Sequence, residues 1–205
     1  MTIEAIFSHS ERRPAAAHPL GPAYYRRMLE TPRLLLRRWR DSDREPFYRI
    51  NSDPRVMEFF LACLTREQSD AMMDRIEAHF DEHGFGLFAA QLRSTGDLVG
   101  FVGVMVPSFE ADFTPCVEIG WRLAVAHWNR GLATEGARAV MRHAFEDLGL
   151  RELVSFAVVD NARSLRVMEK LGMTRDREFL HPRLPQSFRY RRHVLYRKPA
   201  PLPVP

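Results

Sequence analysis

The run His127-Trp128-Asn129-Arg130-Gly131-Leu132-Ala133-Thr134-Glu135 joins two segments of different periodicity, and this junction is where the chain could do chemistry. Across 117–123, apolar Val117, Ile119, Trp121 and Leu123 alternate with Glu118, Gly120 and Arg122, the period of a strand. From Ala133 onward, Ala137, Val140, Met141, Ala144, Phe145 and Leu148 recur at spacings of three and four, with Glu135, Arg138, Arg142 and Glu146 on the opposite face, as in an amphipathic helix. A strand therefore runs through a short glycine-bearing loop into a helix start. The first amides of a helix have no partner within it and the dipole makes that end electropositive, so phosphates bind there. Gly131 and Ala133 are small enough for a pyrophosphate to reach the backbone. On the strand ahead of the loop, Glu118 shares a face with Cys116, Gly120 and Arg122, where it could accept a proton or simply pair with Arg122 in solvent.

The loop contains neither G-x-x-x-x-G-K-[ST] nor G-x-G-x-x-G after a strand. It resembles the acetyl-CoA signature of the GCN5-related N-acetyltransferases (GNAT), [QR]-x-x-G-x-[GA] between a strand and a helix, written here as Trp128-x-x-Gly131-x-Ala133. Trp128 in place of Gln or Arg is similar to the branch that resembles ribosomal-protein N-terminal acetyltransferases. Glu118-Ile119-Gly120-Trp121, Asn161-x-x-Ser164 and Lys170-Leu171-Gly172-Met173 follow in family order, and the resemblance covers about residues 29–198. It implies an α/β (α+β) fold: a single mixed, mostly antiparallel sheet with helices on both faces, splayed between its fourth and fifth strands for the pantetheine arm. It further implies acetyl-CoA as cosubstrate, no metal, and direct transfer of the acetyl group to a primary amine in a ternary complex. The alternative is a non-catalytic module that senses acyl-CoA. The implied cofactor-binding positions are Trp121, Leu123, Val125, Asn129, Arg130, Gly131, Leu132, Ala133, Thr134, Asn161 and Ser164, and the implied catalytic ones are Glu118 and Ser164.

Acetyl transfer from a thioester to an amine asks for a neutral amine, stabilisation of the oxyanion and a proton for the departing thiolate. Glu118 is the candidate base for the first. Ser164 resembles the serine that this branch places near the cofactor sulfur, while the tyrosine that other branches use as acid is replaced by Met168. A hydroxyl is a poor acid, so Ser164 would relay a proton from water; its plainer role is to solvate the first turn of a helix. Asn161 reads equally as an N-cap or as a partner of the pantetheine amides. Arg130, Arg163 and Arg166 are candidates for the cofactor phosphates. His79 and His83 have the helical spacing of a metal pair without a third ligand, and Cys116 reads as a small core residue. The basic run Arg189-Tyr190-Arg191-Arg192-His193 has the composition of a nucleic-acid surface, but in the family its counterpart is the last hairpin, which borders the acceptor cleft and can take part in homodimer contacts.

These positions need a scaffold, and 205 residues suit one domain with tails. Residues 1–27 carry Pro14, Pro19 and Pro22 and no sustained period, so they read as a tail, with Met28 a candidate start; 28–198 read as the domain and 199–205 as a proline-rich tail. Strands are expected at 34–39, 85–92, 98–106, 117–123, 153–159, 173–179 and 193–197. Asp41 or Ser42 is expected to cap a helix reaching Ile50, Thr65-Arg66-Glu67-Gln68 to open a second with a capping box, and Asn161 to cap a short one closed at Gly172. A net charge of +4 suits an anionic cosubstrate without requiring nucleic acid. Two cysteines and no signal peptide or apolar span suggest a reducing cytoplasm. The acceptor amine is left open among protein N-termini, amino sugars or antibiotics, polyamines and amino acids.

Overall fold

The computed structural model describes residues 28–201, so the expected tail at 1–27 lies outside the described residues. Eight strands form one sheet in the order β1-β2-β3-β4-β5-β6-β8-β7. They are β1 (Leu29–Glu30), β2 (Leu34–Arg37), β3 (Leu87–Leu92), β4 (Leu98–Met105), β5 (Glu118–Leu123), β6 (Glu152–Val158), β7 (Thr174–Leu180) and β8 (Arg192–Pro199). The helices are α1 (Arg44–Asn51), α2 (Arg66–His83), α3 (Leu132–Glu146) and α4 (Ala162–Lys170). All pairings are antiparallel except β5 with β6. That parallel pair shares a single register point, Glu118 opposite Val154, and then parts. The mixed, mostly antiparallel sheet and its opening agree with the expected fold; because a two-residue β1 precedes the rest, the opening falls between strands five and six.

Adjacent residues of β4 show why helices cover both faces, since neighbours on a strand point to opposite sides. Phe101 meets Phe47 of α1 with ring centroids 6.2 Å apart. Val102 faces α3, where a Cβ on Gly136 would lie 3.2 Å from its Cγ2. β4, buried along nearly its whole length, is thus clamped between the α1–α2 layer and α3. α2 opens with the expected box, in which Thr65 accepts from the Gln68 amide and Gln68 from the Thr65 amide, and it ends at Gly84 with φ 76°.

The start of the domain differs from expectation. β2 stops at Arg37 because Trp39 turns into the core, its indole donating to the Leu87 carbonyl at 2.7 Å. Neither Asp41 nor Ser42 caps α1: they form a 3-10 turn, Asp41–Asp43, and the helix N-cap Asp43 makes no side-chain cap. Its carboxylate is committed to Arg37, with Nη1 to Oδ2 at 2.6 Å and Nη2 to Oδ1 at 2.8 Å and both side chains only 5% exposed. Removing one member of a buried pair strands the other, so Asp43→Ala is expected to cost about 3–5 kcal/mol in chemical denaturation, against a near-neutral Arg37→Met/Asp43→Leu double variant. At the other end, Pro199 closes β8 and the Ala200 amide donates to Arg151 at 2.8 Å, so the tail expected from 199 begins inside the sheet.

A candidate acetyl-transfer site between two cavities

At the exit of β5 the chain folds back on itself. Trp128 Nε1 donates to the Leu123 carbonyl at 2.8 Å, around a 3-10 turn at Val125–His127. Asn129 (φ 57°) and Gly131 (φ 75°) are both left-handed, a conformation open to Asn and Gly at little cost. α3 begins without a side-chain cap, and its first bond runs from the Glu135 amide to the Gly131 carbonyl at 3.0 Å. The amides of Leu132, Ala133 and Thr134 are thereby left for an outside acceptor. Arg33 braces the turn, donating to the Arg130 carbonyl at 2.9 Å and to Glu135 at 2.7 Å.

These residues line a cavity of about 310 Å³. Trp121, Leu123, Asn129, Gly131, Leu132, Ala133, Thr134, Asn161 and Ser164 all border it. Val125 and Arg130 do not: Val125 packs against the core, and Arg130 is exposed with its carbonyl held by Arg33. Three cations of α4, Arg163, Arg166 and Lys170, stand on the far wall. Arg163 stacks over the Trp128 ring at 4.3 Å and pairs with Glu58 at 2.8 Å. Uncapped amides, a left-handed glycine and a cationic rim fit a pyrophosphate, and the parting of β5 from β6 suits an extended arm.

A second cavity of about 210 Å³ adjoins the first. Phe59, Phe60, Trp121, Arg122, Asn161 and Ser164 border both. Five of its lining residues, Met57, Phe59, Phe60, Leu61 and Leu64, come from 52–65, where no periodic pattern singled out a site residue; clustered Phe59-Phe60 beside a helix break was the one available signal. Trp121, which alternation puts on the core face, is half-buried and reaches both cavities.

Glu118 opens into the second cavity rather than into bulk water. The alternative reading, a solvated pair with Arg122, is absent: Arg122 bonds Asn51 instead, at 2.7 Å. Burial therefore acts uncompensated and pushes the Glu118 carboxyl up to about 8. A carboxyl raised from 4.5 binds its proton more tightly folded than unfolded, so wild-type stability must fall as pH rises from about 4.5 to 8. Glu118→Gln lacks this loss. Its unfolding free energy relative to wild type, read by chemical denaturation, should climb across that window and level off above it, by on the order of a few kcal/mol, and a pH-independent difference would show that Glu118 titrates normally.

Asn161 caps α4, its Oδ1 accepting from the Ser164 amide at 3.2 Å, which leaves its amide nitrogen and the Ser164 hydroxyl for the cleft. His79 is no ligand. Its Nδ1 lies 2.9 Å from the Phe85 carbonyl, its Nε2 accepts from the Val106 amide at 3.0 Å, and burial, then His83, lowers its pKa to about 4. No group of three or more metal-ligating side chains occurs among the described residues. Burial, then Glu118, pushes the Cys116 thiol up to about 11, so it offers no thiolate. In the basic run, Arg192 pairs with Glu178 at 2.5 Å, and the neighbouring Arg197 pairs with Asp176 and Glu152, each at 2.7 Å. Among the described residues no helix is long and apolar enough to cross a membrane.

A sheet parted between two parallel strands, with an anion-receptive helix start at one end of the gap and a separate cavity at the other, defines a protein that brings a phosphate-bearing donor to a second substrate. A family model described as an acetyltransferase (GNAT) domain matches residues 33–174, and the chain belongs to that family. It is 31% identical over 163 residues to the FsC-acetyl coenzyme A-N(2)-transacetylase of Aspergillus fumigatus, covering 75% of this chain and 67% of the relative. A GNAT-family acetyltransferase structure from Bacillus anthracis superposes with TM-score 0.70 at 25% identity, over 84% of this chain and 98% of that one. At 13% identity, where likeness speaks for the fold alone, the microcin C7 self-immunity acetyltransferase MccE, solved with acetyl-CoA and AMP, gives TM-score 0.66 over 82% and 93%. The protein is an acetyl-CoA-dependent N-acetyltransferase rather than a passive sensor.

Proposed function

We propose that the larger cavity holds acetyl-CoA, that the smaller admits the acceptor amine, and that transfer occurs directly where the two meet. The carrying observation is the shared border at Trp121, Asn161 and Ser164, reached from both sides of the parted sheet. The amides of Leu132, Ala133 and Thr134 bind the pyrophosphate, with Arg163, Arg166 and Lys170 supplying positive charge and Asn161 a donor for the pantetheine arm. When bound, acetyl-CoA supplies the activated acyl group. Gly120, whose absent Cβ would meet only Glu118 Oε1 at 3.8 Å, leaves the approach to that group open.

The Glu118 carboxylate takes a proton from the acceptor ammonium, and the neutral amine so formed attacks the thioester carbonyl. A chain-terminal amine has a pKa near 8 and a lysine about 10, so a carboxyl at about 8 is matched to the proton it must accept. Ser164, at the border and three residues past the cap, hydrogen-bonds the departing sulfur and passes it a proton from water. Arg192 and Arg197 of the basic hairpin are held by acidic partners within the fold, and the hairpin borders the acceptor cavity through His181 and His193. The placement of Trp128 and of Glu118-Ile119-Gly120-Trp121 supports the branch that resembles ribosomal-protein N-terminal acetyltransferases. Thiol release from acetyl-CoA across a panel of peptide N-termini, amino acids, amino sugars and polyamines tests the whole reading; release with no amine above hydrolysis would refute it.

A further inference from the structure

The polar face of β5 presents three positions to the acceptor side: Glu118, Gly120 and Arg122. The first has a task and the second makes room, but the third is a buried cation without a counter-ion. Arg122 is 9% exposed and borders both cavities. Its Nη1 donates to Asn51 Oδ1 at 2.7 Å and lies 3.7 Å from Met72 Sδ. The guanidinium faces the rings of Phe60 at 4.4 Å and Phe101 at 5.3 Å. Asn51 is itself oriented by donating to Ser69 Oγ at 2.9 Å, so this cradle holds the arginine in place without neutralising it. No acidic group is among the influences on the Arg122 guanidinium from the described residues, and its Nε is buried without a partner. Burial lowers its pKa only to about 10, which leaves it charged at neutral pH.

A charge taken from water into an aromatic pocket is costly unless an anion completes it. Glu118 is not that anion: it lies four residues along the strand, about 13 Å away at the backbone, and is protonated at neutral pH. The remaining polar groups are neutral as well. Burial, then His193 and Arg183, lowers the His181 pKa to about 4, and burial lowers that of His193. The other walls are apolar, including Met57, Phe59, Leu64, Met105, Phe109 and Phe156. Glu118 is the only acidic side chain bordering this cavity among the described residues, which leaves nothing to receive the several charges of a polyamine or aminoglycoside.

We propose that Arg122 docks a carboxylate of the acceptor, so that the acceptor is an amino carboxylate with an apolar, aromatic-sized body whose amine lies before Gly120. This rests on the assignment of the smaller cavity to the acceptor. A guanidinium recognises a carboxylate through its N–H donors; Arg122 Nη1 is held by Asn51 and Nε is buried without a partner, which leaves the other terminal nitrogen as the first donor to meet the carboxylate. The apolar walls take the body, and the ionised fraction of Glu118, a minority at neutral pH, takes the ammonium proton.

Matched pairs test it: phenylalanine against phenylalaninamide, and 4-(aminomethyl)benzoate against benzylamine, each assayed by thiol release from acetyl-CoA. In at least one pair the carboxylate is expected to have about tenfold or higher kcat/KM, a preference lost in Arg122→Met and partly kept in Arg122→Lys, with acetyl-CoA affinity unchanged by calorimetry. Equal or reversed preference in both pairs overturns the proposal. So does an Arg122→Met variant that binds acetyl-CoA more weakly yet keeps the preference, which would place the arginine on the donor side. If Arg122→Met does not fold, the wild-type ratios and Arg122→Lys decide. A binding arm separates this proposal from the acceptor assignment: N-acetylphenylalanine should raise the melting temperature of wild-type protein saturated with CoA, and N-acetylphenylalaninamide should not. Failure of all four amines to release thiol counts against the acceptor assignment for this class, whereas indistinguishable shifts by the two acetylated probes overturn the carboxylate site.

Discussion

Replacing Glu118 with Gln is expected to lower kcat by about 10²–10⁴-fold at neutral pH, the usual scale for losing a general base, while acetyl-CoA affinity holds. Glutamine keeps the size and hydrogen-bonding reach of the side chain and removes only its capacity to accept a proton. The carboxyl lies where burial raises it to about 8, so most of the free enzyme carries that proton at pH 7. Wild-type kcat/KM, expressed per neutral amine, should therefore rise with pH and level off near 8. The variant should lack that limb, and its deficit should shrink as pH approaches the pKa of the amine, because a free amine needs no base. Near-normal turnover at pH 7 on a true acceptor would make Glu118 structural and leave positioning and water to account for the reaction. A wild-type profile that falls above pH 8 would instead put Glu118 on the acid side.

The second large effect is expected at the donor end. Gly131→Val should weaken acetyl-CoA binding by at least about 10²-fold in calorimetry, with the far-ultraviolet dichroism of the fold preserved. Gly131 sits at φ 75°, and a Cβ there meets no protein atom closer than Arg33 Nη2 at 3.6 Å, so crowding within the protein is not the cause. The cause is conformational. A β-branched residue resists the left-handed region by about 1–2 kcal/mol or more, and relief of that strain turns the first amides of α3 away from the phosphates. Gly131→Asn provides the contrast, because Asn tolerates this conformation and should retain much of the affinity. Equal losses in Val and Asn would assign the effect to bulk, and unchanged affinity in a folded Val variant would remove the pyrophosphate from this loop.

The loop and helix start proposed for the donor are legible in the sequence because they are local. A strand period, a small-residue loop and a helical period occupy consecutive residues, and the amides exposed at a helix start follow from helix geometry whatever surrounds them. The capping box at Thr65 and the N-cap at Asn161 were readable for the same reason, since each bond spans three residues. Asp41 and Ser42 mark the limit: their local pattern suits a cap, but the chain makes a 3-10 turn there, closed by the Asp43 carboxylate, which accepts from the Arg40 amide at 2.8 Å while pairing with the buried Arg37.

The sequence by itself determined the order of the elements, the anion-receptive start of α3 and the placement of Glu118, Gly120 and Arg122 on one face of β5. What only the tertiary structure decided is which of these residues meet, and in what solvent. Segment 52–65 has no period of its own, yet it supplies Phe59 and Phe60 to the border of both cavities. Asn51 reaches across 71 residues of chain to take the Arg122 bond that a reading of β5 alone would give to Glu118. Depriving Glu118 of that partner while enclosing it is what raises its carboxyl, and enclosure is a property of packed neighbours that no stretch of a single strand contains.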